Sequence, residues 1–306
     1  MPGIAPHVVV IGSVNMDLVA TAQRLPAPGE TVLARGALAS APGGKGANQA
    51  VAAARLGART SLIARVGDDE HGRVLRAGLE REGVGCGGVS TTANCSSGVA
   101  MIVVDAAGRN AIVVVPGANE RLTPGDVDAR LDVLFDASVV ALQMEIPSDT
   151  LAHAAAAAHS MGAMVVLNPA PAQTIPDALM RSVDLLVPNE TEASILTGIA
   201  VNSVPDAQRA AAVLQARGAP CVIVTLGAQG VVVATPTSLR HFKAHAVDAV
   251  DPTGAGDTFI GGLCTGLAEG QDLWHAVSLG QAAAAAKVTG QGAQASMPYR
   301  RELAAG

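Results

Sequence analysis

Aromatic residues and positive charge are both scarce in this 306-residue sequence. Three Phe, one Trp and one Tyr leave little material for stacking nucleic-acid bases, and 20 Lys and Arg against 26 Asp and Glu give a net charge of −6. A protein that binds the phosphate backbone needs clustered positive charge, and one that binds single strands needs aromatic platforms. The composition therefore argues against nucleic acid as a partner.

Long apolar runs, a leader pattern and paired cysteines are also missing. No run of 18 or more apolar residues lacks a polar or charged break, so we expect no membrane-spanning helix. The first residues lack a basic stretch followed by an apolar one, which argues against a secretory signal. The cysteines lie far apart without C-x-x-C spacing, which predicts reduced thiols rather than disulfides or a zinc site; they are Cys86, Cys95, Cys221 and Cys264. Together these absences predict a cytoplasmic protein with no membrane partner.

Short β-branched runs alternate with alanine-rich helical stretches along most of the chain. Near-continuous apolar strands separated by helices require crossover connections, which produce a parallel sheet covered on both faces. We therefore predict one α/β domain over residues 1–306, with a doubly wound, mostly parallel sheet flanked by helices. The predicted strands are 7–11, 60–66, 138–142, 164–167, 184–187, 221–225 and 231–234, and the predicted helices are 47–56, 70–82, 149–159, 190–196, 205–216, 255–269 and 272–287.

Two segments interrupt this alternation. Residues 14–39 contain β-prone stretches without a helical pattern, and residues 98–115 have the pattern of a hairpin. Antiparallel pieces would disturb a parallel core, so they form either a small accessory sheet or an edge extension of the main sheet. An accessory sheet beside an α/β core would suit a lid over a ligand site. We predict such a β-sheet lid from about residues 14–39 and 98–115.

The motif D-P-T-G-A-G-D-T-F at 251–259 leads directly into an alanine- and glycine-rich helix. Glycines at a helix start let the backbone approach a ligand, and the free N–H groups of the first turn favour an anion such as phosphate. Asp257 in that turn would repel a phosphate, but it suits a base that accepts the proton of an attacking hydroxyl group. The alternative is structural, with Asp257 capping the helix and Gly254 and Gly256 forming the turn.

A second polar group follows the first predicted strand. Asn15 and Asp17 would lie on the same side of an extended segment, because they are two residues apart. The run P-G-G-K-G-A-N-Q at 42–49 then opens a helix that carries Asn48. Amide, carboxylate and backbone N–H groups suit a polyhydroxylated ligand, since each hydroxyl both donates and accepts hydrogen bonds. Alternatively, Asn15 and Asp17 belong to an ordinary turn and Asn48 faces solvent.

These motifs resemble those of the ribokinase-like carbohydrate kinase family. G-S-V-N-M-D at 12–17, P-G-E-T at 28–31 and G-G-K-G-A-N-Q-A-V-A-A at 43–53 are similar to the opening of such kinases, and 251–259 is similar to their second motif. Further matches in order and spacing extend the resemblance over nearly the whole chain; they lie at 143–147, 167–172, 188–192, 225–230 and 292–296.

The resemblance implies a role for each matching residue. The sugar would be bound by Asn15, Asp17, Gly44, Lys45, Asn48, Glu145 and the catalytic base Asp257. The amides of Gly254, Ala255 and Gly256 would form an anion hole for the γ-phosphate. ATP would contact Asn189, Thr225, Gly227, Gly230, Gly256 and Gln281, and Glu192 would organise Mg²⁺ through water. A monovalent cation, normally K⁺, would be bound at Asp251, Thr253, Lys287, Gly290, Gly292 and Ser296, several of them through backbone carbonyls.

The activity that the resemblance implies is transfer of the γ-phosphate of ATP to the 5-hydroxyl group of D-ribose. Since the sequence has no basic cluster near residue 257, a helix N-terminus, Mg²⁺ and K⁺ would supply the positive field. A homodimer that pairs two lids would cover their exposed strand edges. The alternatives are a kinase for another pentose or a nucleoside, such as 2-deoxyribose, and a non-catalytic sugar-binding relative.

Overall fold

The computed structural model describes residues 6–303, so the predicted domain bounds of 1–306 extend past the described residues at both ends. The strands in chain order are β1 (His7–Ile11), β2 (Asn15–Thr21), β3 (Arg35–Gly43), β4 (Arg59–Gly67), β5 (Gly85–Thr92), β6 (Gly98–Val104), β7 (Asn110–Val115), β8 (Val139–Gln143), β9 (Met164–Asn168), β10 (Leu185–Leu186), β11 (Cys221–Thr225), β12 (Val231–Ala234) and β13 (Leu239–Phe242).

The helices alternate with most of these strands. In chain order they are α1 (Lys45–Arg55), α2 (Glu70–Arg81), α3 (Pro124–Asp128), α4 (Leu131–Phe135), α5 (Ser148–Ser160), α6 (Asp177–Met180), α7 (Glu190–Thr197), α8 (Val204–Ala216), α9 (Ala255–Ala268), α10 (Leu273–Val288) and α11 (Arg300–Leu303). Within residues 6–303, no helix has both the length and the apolar character needed to cross a bilayer.

Nine strands form the main sheet in the order β13-β12-β11-β10-β9-β8-β1-β4-β5. All neighbours are parallel except β11–β12 and β12–β13, which pair antiparallel at one edge. The chain starts in the middle at β1, builds outward through β4 and β5, and then returns to add β8 and its successors on the other side. The predicted doubly wound α/β sheet is therefore confirmed, and the strand order reverses between β1 and β8.

The two faces of the sheet bury two separate apolar layers. Side chains alternate along β1, so Val9 and Ile11 belong to one layer while Val8 and Val10 belong to the other. Many of the helix positions against the sheet are alanine, such as Ala154 of α5 on the first face. Small side chains bring the helix backbones close to the strands, which explains how a chain with few aromatic residues still excludes water.

Helices α9 and α10 pack with their backbones in direct contact. A Cβ atom on Gly262 of α9 would lie 2.8 Å from the Cα of Gly280 on α10, and one on Gly266 would lie 2.8 Å from the Cα of Ala276. A Cβ on Gly280 would in turn lie 2.6 Å from the carbonyl oxygen of Phe259. Since real Cβ atoms do not approach other atoms this closely, the glycines are required for the packing of the two helices.

A second sheet has the strand order β3-β2-β6-β7 and shares no strand with the main sheet. The predicted hairpin at 98–115 is confirmed as the antiparallel pair β6 and β7. The two interrupting segments thus form an accessory sheet and not an edge extension. Strand β3 runs to Gly43, beyond the expected limit at residue 39, and β2 pairs with β6 in parallel. That this sheet acts as a lid stays a prediction.

Candidate active site

The predicted site residues lie where the central parallel strands end. Strand β1 leads into Asn15 through a short turn, β8 ends two residues before Glu145, and Asn189 follows β10. Asn189 also forms a parallel bridge with Thr225 at the end of β11. Open α/β sheets bind ligands at the carboxyl ends of their strands, at the point where the strand order reverses. The fold therefore collects these separate sequence motifs at one edge.

Two glycines fix the entry of α1 into this edge. Gly44 precedes the helix with a φ of 87°, and a Cβ there would lie 2.7 Å from the backbone nitrogen of Asn15. A Cβ on Gly46 would lie 2.6 Å from the nitrogen of Ser13, and the Ala47 N–H donates to the Ser13 carbonyl at 2.9 Å. The G-G-K-G run is thus the means by which α1 starts directly against the turn after β1.

Asp257 lies in the first turn of α9, directly after Gly254, whose φ is 77°. The Asp257 carboxylate is buried and accepts hydrogen bonds from Asn48 Nδ2 at 2.9 Å and Gln49 Nε2 at 3.1 Å. Both donors belong to α1, so Asp257 bonds across to another helix. Contrary to the structural alternative, Asp257 therefore does not cap its own helix. Asn48 faces Asp257 rather than solvent.

Four carboxylates lie around a single lysine in the site, Lys45. They belong to Asp17, Glu145, Glu192 and Asp257. Burial raises the pKa of Asp257 above its ordinary value, although Lys45 and the donors Asn48 and Gln49 oppose the rise. Burial, together with the charges of Glu145 and Asp257, raises the pKa of Asp17 to about 6. For Lys45, burial favours the neutral amine, but the carboxylates outweigh it and its pKa rises. The site without ligand is thus strongly anionic, with Lys45 as its local positive charge.

The Asn15 side chain is oriented by Asn119, a residue that the sequence-based reasoning missed. Asn119 Nδ2 donates to Asn15 Oδ1 at 2.7 Å, while Asn119 Oδ1 accepts from the Val14 N–H at 2.9 Å. Room for the polar pair comes from a missing side chain, because a Cβ on Gly98 would lie 2.1 Å from Asn15 Oδ1. Asn119 fixes both the direction of the Asn15 amide and the turn that carries it.

Asp17 and Glu145 have different surroundings. A Cβ on Gly43 would lie 2.3 Å from Asp17 Oδ2, so this glycine makes space for the Asp17 carboxylate. Glu145 Oε2 accepts from the Ser13 hydroxyl and from the Lys45 N–H, the latter at 3.1 Å. Glu145 therefore connects the end of β8 to the start of α1, and its other oxygen is the one with freedom to accept from a ligand.

A chain of buried amides supports Asp257 from the side of the sheet. Gln143 Nε2 donates to Gln49 Oε1 at 2.6 Å, and Gln49 Nε2 lies near both Asp257 Oδ1 and, at 3.3 Å, Asn168 Oδ1. Gln143 and Asn168 end the apolar strands β8 and β9. A polar residue ending a buried parallel strand is the signal that would have found them, because ligand sites lie at these ends.

A cleft opens beside Asp257. It is lined by Lys45, Asn168, Ala170, Val187, Asn189, Glu192, Thr225, Gly254, Gly256, Asp257, Phe259 and Ile260. A Cβ on Gly256 would meet no atom within 4 Å, so the backbone of this turn faces open space. The N–H group of Gly256 is thus accessible to an anion, whereas the Ala255 N–H donates to the Pro252 carbonyl at 3.0 Å.

Asn189 and Glu192 hold each other at the start of α7. The Asn189 side chain accepts from the Glu192 N–H at 2.8 Å, and Glu192 Oε2 accepts from the Asn189 N–H at 2.8 Å. Burial raises the pKa of Glu192, although the Asn189 N–H and the charge of Lys45 oppose the rise. Mg²⁺ in nucleotide sites is typically bound through one or two carboxylates, water and phosphates. The residues of the cleft therefore fit ATP with Mg²⁺.

The remaining predicted nucleotide residues lie outside the cleft lining. Gly227 and Gly230 flank a 3₁₀ turn after β11, with positive φ values of 50° and 91°. Gln281 on α10 donates from Nε2 to the carbonyls of Phe242 and Lys243, at 3.4 and 3.2 Å, so its amide holds the segment after β13. Their contact with a nucleotide stays a prediction.

The residues predicted to bind K⁺ lie together, but the Lys287 amine contacts one of the expected oxygens. The Asp251 carbonyl accepts from Lys287 Nζ at 2.7 Å, and the Lys287 side chain is fully buried. The Asp251 carboxylate accepts from the N–H groups of Thr253 and Gly292, at 2.9 and 2.8 Å. The Gly292 carbonyl accepts from the Ser296 hydroxyl at 2.7 Å, and the Lys287 carbonyl accepts from the Gly290 N–H at 3.2 Å.

This arrangement does not fit a K⁺ ion. An ion bound at the Asp251 carbonyl would lie near the Lys287 ammonium, and two unit charges 4 Å apart repel by about 4 kcal/mol at an effective dielectric constant of ~20. Lys287 was expected to be one of six residues around the ion, several of them binding it through backbone carbonyls. Instead, its amine takes the Asp251 carbonyl oxygen that the ion would need. Burial lowers the pKa of Lys287, and the charge of Asp251 opposes that shift.

Comparison with known proteins agrees with this geometry. The model of the pfkB family of carbohydrate kinases matches residues 5–300. A ribokinase of Haemophilus influenzae is 41% identical over 293 residues, covering 96% of this chain and 95% of that protein. A deoxyribokinase of Salmonella typhi is 38% identical over 292 residues, covering 95% of each.

A solved structure is similar over the same length. The ribokinase of Arabidopsis thaliana, in complex with ribose and ATP, superposes with a TM-score of 0.90 at 34% identity and covers 98% of both chains. The matched region includes the sugar motif, the strand-end residues and the α9 turn that converge on Asp257. This chain belongs to the pfkB family of carbohydrate kinases.

Proposed function

We propose that the protein is an ATP-dependent sugar kinase that phosphorylates the 5-hydroxyl group of D-ribose and releases ribose 5-phosphate and ADP. The observation that carries this proposal is the buried Asp257 carboxylate at the start of α9, held by Asn48 and Gln49 between the sugar motif and the open cleft. Relatives with about the same length include several ribokinases, and one ribokinase is known with ribose and ATP bound.

The sugar side of the site is assigned to the polar residues around α1. Asp17 and Glu145 offer carboxylate acceptors, and Asn48 and Lys45 offer donors. Asn15 offers its Nδ2 donor, because its oxygen accepts from Asn119. A pentose carries a hydroxyl group on nearly every carbon, and each hydroxyl both donates and accepts. The alternation of carboxylate, amide and ammonium groups at this edge suits such a ligand, while Gly44 lets the backbone approach it.

Asp257 is assigned as the base. Its carboxylate takes the proton of the 5-hydroxyl group as that oxygen forms a bond to the γ-phosphorus, and the bond from phosphorus to the ADP oxygen breaks. The amides of Gly254, Ala255 and Gly256 face the phosphoryl oxygens and stabilise the charge on them. Burial supports this role, because a carboxylate with a raised pKa is a stronger base than one in water.

ATP and Mg²⁺ are assigned to the cleft beside Asp257. Asn189, Glu192 and Thr225 line it together with Lys45, whose ammonium faces the same space. Bound Mg²⁺ neutralises phosphate charge during the transfer. Within this chain, Glu192 would hold the ion through water, and Gly227, Gly230 and Gln281 would contact the rest of the nucleotide.

The accessory sheet is assigned as a lid that also forms a homodimer. Strand β7 is exposed along its whole length although its sequence is apolar, with Ile112 and Val114 about half exposed. Exposed apolar strand edges invite pairing with another chain. Two copies that pair through their lid sheets would cover these side chains.

The four cysteines are free thiols, which suits the reducing cytoplasm that we propose as the location of this protein.

A substrate panel tests the function. ADP release is measured with D-ribose, 2-deoxyribose, other pentoses and nucleosides, and the phosphorylated carbon is identified by NMR. We expect the highest kcat/KM for D-ribose, with phosphate on carbon 5. A higher value for 2-deoxyribose or a nucleoside would favour the corresponding alternative. Absence of ADP release with every sugar, in a protein that still binds ribose, would favour the non-catalytic alternative.

A further inference from the structure

A buried ammonium group lies where the family resemblance led us to expect K⁺. We propose that the Lys287 side chain is a built-in monovalent cation for the phosphate-binding turn, so that this protein works without K⁺. The part of the proposal that concerns catalysis rests on the proposed kinase function. The part that concerns the loop itself does not.

The first support is the position of the charge. Lys287 is fully buried, and its Nζ donates to the Asp251 carbonyl at 2.7 Å. A buried ammonium is costly unless a charge and hydrogen-bond acceptors compensate it. Burial lowers the pKa of Lys287, and the negative charge of Asp251 opposes that shift. The two carboxylate oxygens of Asp251 are held in place by the N–H groups of Thr253 and Gly292. The Lys287 amine is therefore part of the hydrogen-bonded structure of the loop.

The second support is the chemistry of the acceptor. An ammonium group and a K⁺ ion both carry one positive charge and both bind carbonyl oxygens. At the Asp251 carbonyl, Lys287 satisfies the same oxygen from inside the protein. A protein-borne cation has no dissociation constant, so its occupancy does not depend on the salt composition of the solution.

The third support is the connection to the proposed anion hole. Asp251 starts the short segment that leads through Gly254 into α9, and Asp257 lies in the first turn of that helix. Lys287 lies near the end of α10, which packs against α9 through Gly262 and Gly280. Its hydrogen bond therefore ties the segment before the anion hole to the helix pair behind it.

The first experiment uses the unmodified protein. Initial rates are measured in chloride salts of K⁺, Na⁺ and tetramethylammonium at equal ionic strength, with ATP, Mg²⁺ and D-ribose. We expect the three kcat values to agree within about twofold, because no cation binds at this loop. Activation by K⁺ of about tenfold or more over tetramethylammonium would overturn the proposal.

Variants at position 287 provide the reciprocal test. Lys287→Ala removes the ammonium and leaves space, so we expect a loss of about tenfold or more in tetramethylammonium that K⁺ or NH₄⁺ largely restores. Lys287→Met removes the charge but fills the space, and we expect the same loss without restoration. Arg181→Met, which removes an exposed charge, serves as the matched control and should behave like the wild type. A Lys287→Ala protein as active as the wild type in tetramethylammonium would contradict the proposal.

Thermal unfolding gives a readout that does not depend on catalysis. The wild-type midpoint should not differ between K⁺ and tetramethylammonium, whereas K⁺ should raise the midpoint of Lys287→Ala. A K⁺-specific rise in the wild type would overturn the proposal even if no substrate were turned over. If the protein released no ADP in any salt, the proposed function would fail while this measurement still decided the role of Lys287. If Lys287→Ala did not fold, the two wild-type series would still decide it.

Discussion

Asn48 Nδ2 donates a hydrogen bond of 2.9 Å to Oδ2 of Asp257, although 209 residues separate the two in the sequence. The same amide accepts from Gln294 Nε2 at 2.9 Å, so its orientation is fixed from behind. One side chain thus links the sugar motif, the proposed base and the C-terminal loop. In the proposed function, the same side chain therefore positions both the sugar and the base.

Removing the proposed base is expected to abolish transfer but preserve binding. Asp257→Asn keeps the size of the side chain and its place among the amides, but it cannot accept the hydroxyl proton. We expect kcat to fall by about a thousandfold or more. Ribose binding by calorimetry should change little. Turnover close to that of the wild type would contradict the assignment of Asp257.

Gln49 is expected to act as a positioning residue for Asp257. Gln49→Leu removes a donor that favours the charged carboxylate, so the pKa of Asp257 rises further. We expect kcat to fall by roughly tenfold or more, with a smaller change in KM. The acid limb of the pH profile of kcat should move to higher pH. Gln215→Leu on α8 is the control, and a loss of rate without movement of the acid limb would indicate a structural role only.

The stability of the protein without ligand should reflect the crowded carboxylates. The pKa of Asp17 is about 6 in the folded state and 3.8 by its ordinary value, so its contribution to stability is fully present below pH 3.8 and is lost as the pH rises through 6. At pH 8, Asp17→Asn should therefore raise the free energy of unfolding by roughly 1–2 kcal/mol, after allowance for solvent screening. The same variant should bind ribose more weakly.

Urea unfolding at pH 4 and pH 8 tests this expectation. The gain from Asp17→Asn should disappear at pH 4, where the native carboxyl is already protonated. Asp248→Asn removes the same charge from an exposed loop position and should show no such dependence on pH. A variant that is less stable than the wild type at pH 8 would show that Asp17 stabilises the fold.

The close approach of α1 to the turn after β1 predicts an unusual sensitivity at Gly46. A Cβ there would lie 2.6 Å from the Ser13 nitrogen, so Gly46→Ala must displace backbone. We expect a loss of about 2 kcal/mol or more, together with weaker ribose binding. Gly87→Ala is the matched control, because a Cβ at Gly87 meets no atom within 4 Å. Equal stability of the two variants would contradict the packing described above.

The proposed homodimer predicts that a charge on β7 separates the copies. Val114→Lys places a charge on the exposed apolar strand, and we expect a dimer of the wild type and a monomer of the variant in analytical ultracentrifugation. Val74→Lys, at a similarly exposed position on α2, should leave the dimer intact. A wild-type protein that stays monomeric at micromolar concentration would rule the dimer out.

Sequence patterns predicted the core strands best. β1, β11 and β12 have the predicted limits, because their β-branched residues form continuous buried runs. Strand β3 escaped a full prediction since its Ala, Ser, Gly and Pro residues have little intrinsic β preference, and its pairing with β2 forms it instead. Strand β5, with three glycines, was missed for the same reason.

The site was predictable where a motif is local, and not where a contact is long-range. Gly254 and Asp257 lie close together in one turn, so the local sequence alone predicted a phosphate-binding turn with a base. Asn119 acts on Asn15 across 104 residues, and nothing near Asn119 in the sequence marks it. For Lys287, the apolar helix around it is consistent with an ordinary lysine in a last turn. Only the fold places its charge against Asp251.

The glycine contacts between α9 and α10 have a mechanical consequence. Helices whose backbones touch cannot slide or rotate past each other without a clash, so the turn that holds Asp257 and the helix that holds Lys287 move as one piece. The side of the site proposed to bind phosphate is therefore rigid. Any movement that admits a sugar and then shuts out water must come from the opposite side, where the four-stranded sheet has few buried contacts to restrain it.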